Sequence, residues 1–458
     1  MPFILGANSL AGGGYEIDNS LRFNRGSSDY LNRTPASTTN QTTWTYSTWI
    51  KISFDKSNYP RIFSAGTTTA NHFEITLMNE TDGSELRILG DTSSSRTLNW
   101  TTAMKFRDPS AWYHLVVALD TTQATQSNRL KVYVNGSLFS TAGASSVLPS
   151  QNNTYVVNST TQHNIGRSNP YSEYYTGYMA ETYLIDGQQL APSDFGEFDE
   201  DSGIWKPIAY EGTYGTNGFY LEFKDSSALG DDTSDNSNDF TVNNLTSADQ
   251  TTDTPTNNFC TMNPLVRYTA NPTFTEGNLS FTGGGGADFA GALGTIAMTQ
   301  GKWFWECKIL ATLTNTLVGV QQVGLNLNTS EPQNITGGTT CFYNNDGGEM
   351  KTDGTATTND YGTFSATDIM GVAINMDDKQ ISIYKNGAAI VSNFALSASS
   401  TEVLPFFAMY SSGAIVNFGN APYTITTGNS DANNFGNFEY AVPSGYYSLN
   451  TKNLAEYG

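Results

Sequence analysis

The sequence predicts an all-β protein: two antiparallel β-sandwich domains joined by a linker rich in Asp, Asn, Ser and Thr. Three observations carry this. Ala111 to Ser140 reads as strand, loop, strand, turn, strand, because Trp112 to Leu119 and Leu130 to Val134 each alternate two faces at period 2. Asn135-Gly136 then supplies the positive φ angles of a tight type I′ hairpin. The same idea recurs at Asp368 to Val391, where Ile369 to Met376 can pair with Ile381 to Tyr384 ahead of a turn at Asn386-Gly387. Finally, 25 Tyr, 25 Phe and 43 Gly against 14% charged residues, with plentiful Thr, Ser and Asn, suit strands and polar turns rather than helices.

At 458 residues the chain has room for two sandwiches of roughly 200 residues each. Its 43 acidic and 22 basic residues give a formal net charge of −21. That field repels phosphate backbones and anionic headgroups, so no nucleic-acid partner is expected. No window approaches a membrane span, and no membrane insertion is expected. Cys260, Cys307 and Cys341 have no metal-type spacing and would leave one thiol over even if two were bonded, so no disulfide framework is implied. The opening MPFILGANSLAGGGY has a short apolar run without a basic flank, which does not read as a secretory signal; synthesis in a cytosol is expected.

Residues 1–18 read as an irregular N-terminal arm, since Gly12-Gly13-Gly14 removes local preference. The first domain spans 19–225. Its strands begin at Ser20 to Asn24 and continue through Trp44, Tyr46, Thr48, Ile50, Ile52 and Phe54, one apolar-leaning face at period 2. Others are expected at His72 to Met78, Leu86 to Leu89, His163 to Gly166 and Gly177 to Ile185. Residues 226–276 read as the linker, with Gly230 to Asp239 nearly devoid of apolar residues. Its side-chain oxygens do not match a calcium loop with Gly at the sixth position and a closing Glu, and a solvated turn is the reading adopted. The second domain, 277–458, carries Gly301 to Lys308, Val323 to Leu325 and the second hairpin.

Two resemblances attach to these motifs. Leu21 to Phe23, Trp44 to Ile52, Trp112 to Val117, Leu130 to Gly136, Ile165 to Arg167 and Gly177 to Glu181 together resemble the laminin G-like, concanavalin A-type lectin sandwich. The resemblance implies a two-sheet jelly roll whose loops hold ligands at one rim. Gly301 to Lys308, Leu404 to Phe407, Val416 to Gly419 and Pro443 to Tyr446 resemble a SPRY domain, a sandwich that implies binding without catalysis. Phe195 to Phe198, Gly203 to Pro207, Thr216 to Phe223, Asn238 to Thr241 and Asp253 to Phe259 are similar to segments of marine bacteriophage virion appendage proteins.

Catalysis is not expected. Some concanavalin A-type hydrolases place Glu-x-Asp-x-x-Glu on one strand, but here Glu197-x-Asp199-x-x-Ser202 lacks the last carboxylate and is flanked by Pro192, Gly196 and Gly203. His72, His114 and His163 form no metal-binding pair, and no metal or cofactor is expected; His114 reads as a hydrogen-bonded core histidine. The candidate ligand contacts are Tyr171, Tyr174 and Tyr175 in the loop Ser168 to Tyr175, where flat rings and hydroxyls suit sugars. They could equally cover a sandwich edge or an intersubunit contact. Tyr343 to Gly348 reads as a plain turn.

The resemblance to phage appendage proteins implies a phage virion structural protein, a tail fibre or capsid fibre, made in the host cytoplasm and present in the virion. It would be a homo-oligomer that binds a host-surface glycan or another virion protein through its sandwich loops. Two alternatives are a capsid-decorating or tail-joining protein without ligand binding and, more remotely, a polysaccharide hydrolase.

Overall fold

The structure is a computed structural model that describes residues 14–53, 59–80, 83–139, 146–268, 272–283, 289–311, 315–327, 331–344, 347–410 and 413–458. Both expected sandwiches are present, and the described residues include a single α-helix, Thr451–Tyr457. Two compact units result, Gly13–Thr256 and Asn257–Gly458.

In the first unit one sheet runs Ser137–Leu138, Leu130–Val134, Trp112–Asp120, Thr43–Ile52, Gly177–Asp186, Ser20–Phe23, Gln250–Thr251 in spatial order, with Phe219–Leu221 also paired to Gly177–Asp186. The other runs Thr241–Asn243, Tyr30–Arg33, His163–Ile165, Arg61–Thr68, Asn71–Glu80, Gly83–Thr92, Ser95–Thr101. Alternation decides which side chains fill the space between them. Trp44, Tyr46, Ile50 and Ile52 meet Leu115, Val117 and Leu119 from the first sheet and Phe63, Phe73, Ile75 and Leu77 from the second. The expected type I′ turn is there, with φ +47° at Asn135 and +76° at Gly136. A Cβ on Gly136 would stand 2.4 Å from Trp205, so the turn needs glycine twice over.

The opposite face of the first sheet is not open. Trp49, Trp112 and Tyr178 pack with Ile17, Tyr15 and Trp205, while Val116, Tyr183 and Ile185 pack with Phe195, Tyr210, Tyr214 and Tyr220. The chain after the last long strand thus folds back as an aromatic roof. Of the expected 1–18 arm, residues 1–13 lie outside the described residues, and Ile17 is buried under that roof.

The expected linker at 226–276 is folded structure instead. Its residues up to Thr256 belong to the first unit and the remainder to the second, which contributes the strands Met262–Arg267 and Thr273–Thr275. Polarity misled the reading because the acidic residues close turns and ion pairs rather than facing water. Asp232 accepts the Tyr220 and Asn238 backbone N–H groups, each at 2.8 Å. Asp253 pairs with the buried Lys51 Nζ at 2.7 Å and accepts Trp112 Nε1 at 3.1 Å. Arg22, buried, donates to Ala248 O at 2.6 Å.

The second unit has a sheet of Met262–Arg267, Ala290–Gly294, Val403–Met409, Thr316–Gln322, Thr339–Asn344, Glu349–Thr352, Thr355–Ala356. Its partner sheet is Thr273–Thr275, Ser280–Thr282, Gly413–Asn417, Lys302–Ile309, Ile369–Asn375, Gln380–Lys385, Ala388–Ala395. Trp303, Trp305, Cys307 and Ile309 point into the core, and Phe304 and Glu306 point out. Burial pushes the Glu306 carboxyl up to about 7, against three hydrogen bonds. These come from the Glu439 and Tyr440 N–H groups at 3.0 and 2.8 Å and from Asn417 Nδ2 at 3.2 Å. Glu306 thereby pins the segment around 438–440 to the sheet. All three cysteines are buried and none forms a disulfide.

Candidate ligand-binding face

The expected tyrosine loop folds onto the outer face of the first unit's second sheet. Arg167–Ser168 pairs with Glu173–Tyr174, and Ser172 turns the tip with φ +51°. Beneath it, alternation sends Phe73, Ile75 and Leu77 to the core and leaves His72, Glu74 and Thr76 outward, beside Arg61 on the neighbouring strand.

The three tyrosines part ways here. Tyr175 is fully buried: it belongs to the core, meets Phe23 edge-on at 6.1 Å, and its hydroxyl donates to Lys51 O at 3.2 Å. It anchors the loop and cannot touch a ligand, which corrects the expectation; the sequence could not distinguish it from its neighbour because both are tyrosines on a short, irregular segment. Tyr174 is half-buried, 5.6 Å from the Arg167 guanidinium, which also lies 4.6 Å from the Tyr30 ring. Tyr171 is 41% exposed.

Tyr171 has a counterpart that sequence reasoning missed. Tyr59 is 46% exposed, and the Arg61 guanidinium lies 5.6 Å from its ring centroid and 5.5 Å from that of Tyr171. Cation–π attraction to one buried cation therefore braces both rings. Arg61 is itself held by Thr76 Oγ1 at 2.7 Å, by Glu173, and by Glu74 Oε2 at 3.5 Å. Glu74, with no exposed surface, accepts the Ser168 hydroxyl, tying the loop to the sheet. Burial pushes the Glu173 carboxyl up, with Arg61 pulling the other way. His72 supports Tyr171 from below in an edge contact at 5.6 Å; its Nδ1 lies 3.2 Å from Thr69 O, and its buried Nε2 has no hydrogen-bond partner among the described residues. The result is a pair of exposed aromatic faces on a rigid charged base, a preorganised arrangement for stacking a ring or planar group. Only the alternation from His72 to Leu77 signalled this base; Tyr59-Pro60-Arg61 carries no pattern that would have added the second ring.

The other candidate positions lie elsewhere. His114 is buried between Trp49 and Trp205, with ring centroids at 4.7 and 6.0 Å. Its Nδ1 accepts Trp205 Nε1–H at 3.0 Å, which leaves Nε2 to donate to Ser47 Oγ at 2.8 Å, and burial pulls its pKa down to about 3. His163 is likewise buried and pulled down to about 4. Glu197 and Asp199 sit on an exposed hairpin of Gly196–Phe198 with Trp205–Pro207, where Lys206 reaches them at 3.3 and 3.2 Å. Ser202 and Lys206 hold Asp199 down at about 2. A carboxyl so placed remains ionised and cannot serve as a general acid near neutrality. In the Tyr343 to Gly348 segment, Asn345 and Asp346 lie outside the described residues, and the Tyr343 hydroxyl donates to Asn315 Oδ1 at 2.8 Å.

One carboxylate escaped the sequence reading. Glu181 is buried at a bulge in Gly177–Asp186, with φ +48°, a left-handed conformation that costs a non-glycine residue about 1 kcal/mol or more. Tyr220 donates to its Oε1 at 2.7 Å, Tyr15 to its Oε2 at 3.1 Å, and Tyr183 to Oε2 as well. Burial pushes this carboxyl up to about 7 in spite of those donors. The group lies beneath the aromatic roof and holds Tyr15 and Tyr220 over the sheet.

Comparison with known proteins agrees with this division. The profile of the concanavalin A-like lectin/glucanases superfamily, laminin G type, matches residues 25–189, and that of the SPRY domain matches residues 302–421. Among solved structures, the SPRY domain of human HERC1 is 19% identical over 34% of this chain and 96% of its own, with a TM-score of 0.29. The native heptameric SAP-like pentraxin from Limulus polyphemus is 17% identical over 39% of this chain and 80% of its own, with a TM-score of 0.30. No curated protein sequence matches the chain significantly.

Proposed function

We propose, from the laminin G-like domain followed by a SPRY domain that this chain carries, that it is a bacteriophage virion structural protein, a tail fibre or capsid fibre. In this reading it binds a host-surface glycan through the Tyr59–Arg61–Tyr171 face. Domains of both kinds are typically non-catalytic binding modules, which supports a ligand- or protein-binding role. The observation that carries the glycan reading is the pair of half-exposed tyrosines braced on one buried guanidinium. The virion assignment is supported by the likeness of Thr216 to Phe223, Asn238 to Thr241 and Asp253 to Phe259 to phage appendage segments. Display in several copies, as a homo-oligomer among other virion proteins, would turn weak single-site binding into firm adsorption. With 14% charged residues, the contact would be only weakly sensitive to salt.

A second reading, a capsid-decorating or tail-joining protein, is favoured by the apolar side chains Phe198 and Ile204, 53% and 38% exposed, which suit contact with another virion protein. Labelled full-length protein incubated with host cells separates the two. The glycan reading expects saturable binding, elution by host glycan, reduced phage adsorption, and a loss of roughly tenfold or more in Tyr171→Ala or Tyr59→Ala. Absence of saturable binding by an oligomeric preparation would refute it.

A further inference from the structure

An open cavity of about 520 Å³ lies at the edge of the aromatic roof, on the side of the first unit built from the first sheet, and so is distinct from the Tyr59–Tyr171 face. Its apolar wall is Leu190, Ile208 and Tyr210, and its polar groups include Gln188, Asp194 and Glu211. The volume falls within the roughly 300–1,000 Å³ of small-molecule sites.

The walls are fixed before any ligand arrives. Thr45, on the central strand Thr43–Ile52, donates its hydroxyl to Gln188 O at 2.8 Å and accepts Leu190 N–H at 2.9 Å. Gln189 Nε2 donates to Asn128 O at 2.9 Å, which ties the same segment to the next connection. Tyr210 stacks on Phe195 at 5.1 Å and meets Tyr214 edge-on at 5.2 Å, and its hydroxyl donates to Thr213 O at 3.0 Å. Gly218 anchors the return of this segment, since a Cβ there would stand 1.9 Å from Tyr214 O.

The polar groups of the lining share one character. Among the described residues Glu211 makes no hydrogen bond or ion pair, and the Asp194 carboxylate engages only Oδ2, which accepts Ala191 N–H at 2.9 Å. Gln188 uses its Nε2 on Thr213 O at 2.8 Å, which leaves its carbonyl oxygen. No Lys, Arg or His is among the lining residues. Acceptors and negative charge thus surround an apolar and aromatic wall. Such a lining favours a ligand with an apolar ring face, many O–H or N–H donors and no negative charge, and it repels a carboxylated or sulfated one.

We propose that this cavity is a second saccharide site, selective for amino sugars: the ring packs on Tyr210 and the ammonium group is met by Glu211 and Asp194. The site does not depend on the Tyr59–Tyr171 face. Ligand-observed NMR titration of the full chain at neutral pH with glucosamine, glucose and glucuronate tests it. The expected order is glucosamine tightest, glucose weaker, glucuronate without saturable binding. Glu211→Gln, at an exposed side chain, is expected to reduce the preference for glucosamine over glucose several-fold. Ala209→Trp, at an exposed lining position, is expected to abolish binding of both. Tyr171→Ala is read only in the host-cell binding assay, which reports on the face above and not on this cavity, so failure here and failure of the glycan reading above remain distinguishable. Glucuronate binding as well as glucosamine, absence of glucosamine binding, or binding that survives Ala209→Trp would overturn the proposal.

Discussion

The Glu181 carboxyl makes the first unit lose stability as pH rises across the neutral range. Its folded pKa is raised from 4.5 to about 7 by burial, so between these values the folded state holds a proton that the unfolded state has released. Stability from this source is complete below 4.5 and is lost as pH rises through about 7. At about 1.4 kcal/mol per pKa unit, the loss between pH 4.5 and pH 8 is on the order of 3 kcal/mol. For a unit of this size that is a fall in melting temperature of roughly 6–12 °C. The assay is thermal unfolding at a series of pH values, with hydrogen exchange across 177–186 to assign the transition to the first unit. Glu181→Gln removes the titrating group while preserving shape, and its first-unit transition is expected to be nearly flat over the same range. An equally steep pH dependence in Glu181→Gln would show that the carboxyl is not the cause.

Other perturbations discriminate loop, turn and segment roles. Tyr175→Phe is expected to cost about 1 kcal/mol of stability, from the lost hydrogen bond to Lys51 O, and to leave host-cell binding intact, the reverse of Tyr171→Ala. Asp253→Asn removes the charge that pairs with the buried Lys51 ammonium at 2.7 Å and is expected to cost about 3–5 kcal/mol by denaturant unfolding, with faster hydrogen exchange across 249–256. Glu306→Gln sets an amide N–H against one of the three donors that the carboxylate accepts. A loss of about 1–3 kcal/mol is expected, read as faster exchange around 438–440, and wild-type stability at that site should otherwise fall from pH 4.5 through about 7. Gly136→Ala is expected to cost about 2 kcal/mol or more, since φ is +76° and the new Cβ would meet Trp205; a neutral effect in thermal unfolding would contradict the packing.

The sandwich class was legible because it rests on local rules. Period-2 alternation in Trp112 to Leu119 and in Ile369 to Met376 orients side chains whatever the partner strand, and Asn-Gly dictates the hairpin turn through backbone sterics alone. Tyr171 was legible as an exposed ring in a polar loop. What failed did so where polarity stood in for exposure. Asp253 and Asp232 read as solvated because nothing in the sequence announces Lys51 or the Tyr220 backbone, about 200 and 12 residues away, as their partners. By itself the sequence determined two β-sandwiches, their hairpins, and an acidic exterior hostile to polyanions. Only the tertiary structure decided that Tyr175 is core while Tyr171 is surface, that Tyr59 joins Tyr171 on Arg61, and that an aromatic roof closes one sheet and leaves a cavity at its edge. These depend on contacts between residues far apart in sequence, fixed by register and packing, for which a linear pattern carries no periodic signal.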